Sequence, residues 1–438
     1  MNSRSVLAAG LLLLMAPLLP AAIIGANSPA QEITAQTIAS LPQAQQRVWK
    51  QYLERSNRQL RLDQAFLHKE MKQMGLKEAI LPPSGRSATS LPLNRPDAWY
   101  AGTNAQFLAD NVVSFQTPAG GWSKNLDFSR HPRARGEHFA PDNLSKFSNA
   151  TDFDLPRDTN WDYVGTFDND ATTTQMRFLA KTAALASPDQ AKKWRASFLR
   201  GAGYIFAAQF PNGGWPQVWP LQGGYHDAVT FNDGAALHVM ELLRDISAGE
   251  NEFAFVPAET RRLAAASLQR GIQCTLAAQI VVDGRLTVWC QQHNALTLTP
   301  ASGRNYEMPS QVSVESALVM RFLMSLPKPD PAIITSVDAA AAWFKKTALY
   351  GVAVRFSPSE GRILEPSPGA GPIWPRYAQI GADRPIFGDR DKSIHDNMSE
   401  ISAERRRGYS WYNGAPQEAL ERYAAWRASL GTPAPQPP

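Results

Sequence analysis

Apolar residues recur at three- and four-residue spacing along most of the chain and strand-like alternation is scarce, so the pattern predicts helices. Ala105, Leu108, Val112 and Phe115 form one stripe, and Trp194, Phe198, Ala202 and Ile205 form another. Both are expected to face a core. Each stripe runs into a loop signal: Gln116 to Trp122 reads QTPAGGW, and Gln209 to Trp215 reads QFPNGGW. A proline with paired glycines cannot continue a helix, so each copy ends one. A second pair of strings, TFDNDA from Thr166 and TFNDGA from Thr230, leads into further helical patterns marked by Met176, Leu179 and Ala183 and by Ala236, Met240 and Leu243. Asp and Asn at such positions cap free backbone N–H groups. A degenerate third copy carries Gln279, Asp283, Gly284 and Trp289 after a helix at 263–276, followed by a helix at 314–323.

The repeating unit is therefore helix, Gly-Trp loop, helix, present about three times, with one more helix near 337–344. Long-period repetition marks stacked or circularly arranged units. The expected fold class is all-α: an α/α toroid of about three repeated helical hairpins, with long loops forming an open cleft at one end. That end should carry function, because binding groups concentrate on loops held by a rigid scaffold. The segment 350–395, rich in Gly, Pro and Arg, is expected to be another long loop. The predicted organisation is a leader over residues 1–26, an N-terminal helical segment with a connecting loop over 27–96, the toroid over 97–431, and a disordered tail over 432–438.

Composition narrows the classes. Hydrophobic residues make up 44% and charged residues 19% of the 438, which is enough apolar content for a large core. The first thirty residues place Arg4 before an apolar run and then small residues, the layout of a secretory leader, so an exported protein, periplasmic or extracellular, is expected. The net charge of +5 favours an anionic partner only weakly, and no Lys/Arg run of the nucleic-acid type exists. No stable membrane partner and a monomeric state are expected. Two cysteines, Cys274 and Cys290, exclude a disulfide framework and are read as buried thiols. The seven histidines show no HExxH spacing and there is no G-x-S-x-G string, which disfavours zinc-hydrolase and serine-nucleophile chemistry.

Polar groups cluster in the loops: GGWSKNLD from Gly120, the acids Asp168, Asp170 and Asp233, RNYEMPS from Arg304, and WPRYAQIGADRPIFGDRD from Trp374. Carboxylates gathered with arginines suit a hard cation such as Ca²⁺ together with an anionic ligand. The bland reading makes the acids helix caps and the arginines surface ion pairs.

Through QTPAGGWSKN, TFDNDATTTQ, NGGWPQVWP, TFNDGA, WCQQH and RYAQIGADRPIFGDRD, the chain resembles the pectate lyases of polysaccharide lyase family ten, over nearly all of residues 37–426. Ser123 stands where that motif often has proline, with no catalytic consequence. The resemblance implies Ca²⁺-dependent β-elimination on polygalacturonate, giving 4,5-unsaturated products. By motif position it implies Arg390 as the Brønsted base, and Arg304 and Arg376 as cations on uronate carboxylates. It further implies Lys124 and Asp168 as substrate contacts and Asp170 and Asp233 as calcium-site acids. An arginine base needs neighbouring cations and partial burial to disfavour its charged form. Two alternatives remain at this point: another α/α-barrel carbohydrate enzyme such as a glycoside hydrolase, and a non-catalytic uronate-binding protein.

Overall fold

The computed structural model describes residues 23–85, 87–145 and 149–431. It is mostly helical. Ten helices matter here: α1 (Gln43–Met74), α2 (Thr103–Ser114), α3 (Thr173–Ala184), α4 (Pro188–Ala208), α5 (Ala235–Ala248), α6 (Ala258–Ala277), α7 (Ser313–Met324), α8 (Pro331–Thr347), α9 (Ala403–Gly408) and α10 (Ala415–Ser429). The even-numbered α2, α4, α6 and α8 neighbour one another in order, and α3, α5 and α7 form a second layer against them, with α10 packed on α7 and α8. The stripes expected to face inward do so: Ala105, Val112, Phe198, Ala202, Met176, Leu179, Met240 and Leu243 are all buried in one core.

Short links join α3 to α4 and α7 to α8, whereas the connections that follow α2, α4, α6 and α8 are long. Successive helices in such hairpins run antiparallel, so the long connections gather at one end.

The repeat signal corresponds to two recurrent clamps. In the first, a tryptophan after each outer helix donates its indole N–H back to a carbonyl of that helix: Trp122 to Val112 (2.7 Å), Trp215 to Ile205 (3.0 Å), Trp289 to Thr275 (2.7 Å) and Trp374 to Phe344 (2.8 Å). The fourth member shows that the unit recurs once more than the sequence pattern suggested; its Gly-Gly has been lost, and the loop before Trp374 has grown. In the second clamp, a glutamine at the end of one outer helix grips the next. Gln116 Nε2 donates to Ser197 O (2.9 Å), Gln209 to Ser267 O (2.9 Å) and Gln279 to Ser336 O (3.0 Å). Trp122 and Trp215 are therefore packing residues, buried behind their Gly-Gly turns rather than beside a ligand. At Gly121 and Gly214 an added Cβ would lie 2.5 Å from the Tyr204 ring and 2.6 Å from Val229, which is why no other residue fits there.

The segment 350–395 is not all loop. Strands Val352–Ser357 and Gly361–Pro366 form an antiparallel hairpin, and Phe387–Gly388 pairs with Ser393–His395. Val352, Val354 and Phe356 alternate with Ala353 and Arg355, a short period-two signal hidden among glycines and prolines.

The expected leader and tail fall mainly on residues 1–22 and 432–438, outside the described residues. The last four residues of the expected leader, Ile23–Ala26, form a strand antiparallel to Ser393–His395. Asn27 then donates to Asn305 O (3.0 Å), so this edge braces the loop that carries Arg304. Helix α1 docks by Tyr52, whose hydroxyl donates to Ala208 O (2.9 Å). Among the described residues no helix is long and apolar enough to cross a membrane. Cys274 and Cys290 are buried free thiols, as expected, and burial pushes Cys274 up to about 12.

Candidate active site

Each of the four long connections sends side chains to one cleft of about 420 Å³. The first supplies Lys124 and Asp168, the second Gln217 and Asp233, the third Arg304 and Glu307, and the fourth Arg390, Arg405 and Tyr409.

Lys124 and Asp168 form the first pair. Lys124 Nζ lies 2.8 Å from Asp168 Oδ2 and 3.3 Å above the centre of the Tyr163 ring, while Gln217 Nε2 donates to Asp168 Oδ1 (2.9 Å). The other end of that amide, Gln217 Oε1, is buried without a partner. Asp233 lies on the same side: burial first, and then the nearby Asp168 charge, raise its pKa above the ordinary carboxylate value.

Asp170 stands elsewhere. Its carboxylate is half exposed and sits 2.6 Å from His238 Nδ1, and it does not line the cleft. The two loop strings align residue for residue, and the backbone shows how: Asn169 and Asp233 share a left-handed conformation (φ 51° and 50°), as do Asp170 and Gly234 (φ 60° and 74°). Asp233 is thus the structural counterpart of Asn169, which also lines the cleft, and not of Asp170. Grouping Asp170 with Asp233 as equivalent acids is corrected by this register.

The arginines differ in their surroundings. Arg304 Nη2 lies 2.5 Å from Glu307 Oε1, and its backbone N–H donates to Glu307 Oε2 (2.8 Å), so the RNYE turn closes on itself. Burial works against the Arg304 charge, but Glu307 and the flanking tyrosines outweigh it and raise its pKa above the ordinary arginine value. Tyr409 donates to Glu307 Oε1 (2.8 Å). Arg376 does not line the cleft: it lies behind, over the Tyr409 ring at 4.9 Å, and is paired with buried Glu315 at 2.5 Å. Arg390 does line the cleft and is bound by Glu404, Nε to Oε2 at 2.9 Å and Nη2 to Oε1 at 3.2 Å. Glu404 also takes Arg405, and both guanidiniums face the Tyr306 ring, at 5.5 and 4.3 Å. Hydrogen bonds from Arg405 first, opposed by burial and helped by Arg390, hold Glu404 down at about 2.

The structure therefore brings Lys124, Asp168, Asp233, Arg304 and Arg390 to one cleft and leaves Arg376 and Asp170 outside it. It adds Arg405, Glu307, Asp152 and Asp154 to the lining, with Glu404 holding Arg390 and Arg405 from outside it, none of which the sequence reading assigned a role. The ERRRG run containing Arg405 reads as a solvated charge cluster, and nothing in its spacing marks one arginine as facing inward. The neighbouring cations expected to press on Arg390 are offset by their own carboxylates, and Arg390 faces an acid.

Several carboxylates interleaved with Lys124 and three arginines in an open cleft at the loop end of a helical array suit an anionic, extended ligand, as in a polysaccharide lyase. The chain belongs to the pectic acid lyase family, whose model matches residues 116–420, and it is a pectate lyase. A solved aspartate-to-alanine mutant of the family 10 polysaccharide lyase from Cellvibrio cellulosa, in complex with trigalacturonic acid, is similar at 29% identity and a TM-score of 0.62. The match covers 78% of this chain and 98% of that one. The family 10 polysaccharide lyase from the same organism, solved separately, matches at 29% identity and a TM-score of 0.62, over 80% of this chain and 99% of that one. Comparison with curated proteins gives no match.

Proposed function

We propose that this lyase cleaves polygalacturonate by Ca²⁺-dependent β-elimination. One observation carries the reading: Lys124, Arg304, Arg390 and Arg405 converge with Asp168 and Asp233 on a single cleft, in a chain similar to a lyase solved with trigalacturonic acid. In the reaction a base takes the C5 proton, that C–H pair becomes the C4–C5 double bond, and the C4–O bond breaks with its electrons on the leaving oxygen, which is then protonated. The C5 proton is weakly acidic, so the charge developing on the adjacent carboxylate must be neutralised.

Arg304, Arg405 and Lys124 hold uronate carboxylates in this proposal. Arg376 sets the Tyr409 ring behind them. Arg390 is the base. A second assignment, Arg304 as base and Arg390 as binding cation, is favoured by one feature: the Arg304 charge acts on Asp233 and Asp154 across the cleft floor, whereas Arg390 is tied to Glu404.

The donor set fits calcium. Asp168 and Asp233 would supply hard oxygen donors from the cleft wall, and the repulsion between the two acids would be relieved by a cation. No group of three or more His, Cys, Asp or Glu side chains able to hold a metal is present among the described residues, so substrate and water would complete the shell. When bound, the ion would supply further neutralisation of the uronate carboxylate.

Export through the expected leader, a monomeric state and closure of the hairpins into a ring belong to the same proposal. Product masses test the reaction type. Elimination gives two fragments whose masses sum to that of the substrate, one of them absorbing in the ultraviolet; fragments that together carry an added water would mean hydrolysis and overturn the proposal.

A further inference from the structure

Beside the cleft lies a second cavity of about 720 Å³ that shares Asn143 with it. Its volume is within the range of about 300–1,000 Å³ usual for small-molecule sites. One wall comes from α1 and the segment after it, through Leu67, Met71, Ala79 and Leu81; the other comes from the loop carrying Ala140 and Trp161. Leu67, Ala140 and Trp161, with Met71 and Ala79 against them, form a hydrophobic cluster separate from the main core. The α1 wall lies outside residues 116–420, the stretch the family model matches, so this cavity is not built from the matched stretch alone.

Its charge is more one-sided than that of the cleft, where four cations balance the acids. The rim carries Glu78, Asp142, Asp158 and Asp162 against Lys77. A free uronate placed there would meet several carboxylates and lose its hydration over an apolar floor, both of which cost free energy. An uncharged sugar with an apolar face meets neither penalty.

We propose that this cavity is a subsite for an uncharged glycosyl unit of the polysaccharide, occupied while the adjoining acidic stretch lies in the cleft. The shared chemistry covers a methyl-esterified uronate in the main chain and a neutral sugar branch. The proposal rests on the cleft's taking an acidic galacturonan.

The test uses the full chain and calorimetric titration with three oligosaccharides of equal backbone length: hexagalacturonate, a hexagalacturonate methyl-esterified at a single terminal unit, and a hexagalacturonate bearing one neutral sugar branch. Ala79→Trp, which fills the cavity, should weaken the esterified or the branched ligand about tenfold and hexagalacturonate less than about twofold. The ligand that loses affinity identifies the source. The pair Glu78→Lys with Asp142→Asn removes rim acidity without touching the floor, and should shift preference severalfold toward bare hexagalacturonate. It decides the matter if the tryptophan variant does not fold. Equal weakening of all three ligands by Ala79→Trp, or an unchanged preference in the charge pair, overturns the proposal. Absence of an unsaturated product with this binding pattern intact would instead sink the lyase reading and leave the subsite standing.

Discussion

Every arginine assigned a role from the motifs has a carboxylate companion that the motifs do not announce: Glu307 for Arg304, Glu315 for Arg376 and Glu404 for Arg390. These acids fix the guanidiniums in place. If Arg390 is the base, Glu404→Gln, which loosens the hold on its guanidinium, should lower kcat with KM nearly unchanged. A changed KM with kcat kept would make Arg390 a binding residue. Arg390→Ala and Arg304→Ala, compared under one assay, should separate the roles: loss of the base removes kcat, whereas loss of a carboxylate contact mainly raises KM by about ten- to a hundredfold. At this scale the sequence was informative about which residue types line the cleft and poor at their partners. Arg390 and Glu404 are neighbours only because the chain between them folds back through a strand and a short helix.

The Gly-Trp loops behave as elements with their own energetics. Gln209 joins α4 to α6 through the Ser267 carbonyl, and it also accepts from Ser267 Oγ (2.8 Å) and from Arg270. Gln209→Ala leaves these buried groups unpaired and should cost about 1–3 kcal/mol in urea unfolding, with activity kept below the transition. Helix α1 reaches the first such loop through buried Asp63, which accepts from Gln59 Nε2 (2.7 Å). Burial raises Asp63 from 3.8 to about 7. Between those values the folded chain holds a proton that the unfolded chain has released, so this residue makes stability fall as pH rises through that window and leaves it lower above about 7. Asp63→Asn should therefore raise the unfolding free energy at pH 8 by about 2–4 kcal/mol and leave it nearly unchanged at pH 4; equal effects at both would contradict the burial account. Three copies of the unit were legible in the sequence because Q-x-P-x-G-G-W is contiguous or nearly so. The fourth was hidden because only its tryptophan remains, and the hairpin at Val352–Ser357 was hidden because six alternating residues are a weak signal beside two glycine-rich turns.

For the whole molecule, period and loop length together predicted where the polar cleft lies, since short links at one end leave the long connections at the other. What they could not supply was register within those connections: which acid of TFDNDA matches which of TFNDGA is settled by backbone conformation, and it leaves Asp170 on His238. Nor could they supply the contribution of α1, whose docking against Phe139, Ala140 and Trp161 follows from tertiary packing and not from any motif. The central claim is that the arginines of this cleft, acting with calcium, make a carbon-bound proton removable. Its most direct test is ultraviolet absorbance during incubation of the purified chain with polygalacturonate, before and after removal of calcium by a chelator and again after its return. The account predicts absorbance that grows, stops and resumes; chain cleavage that proceeds unchanged in chelator without any absorbance would contradict it.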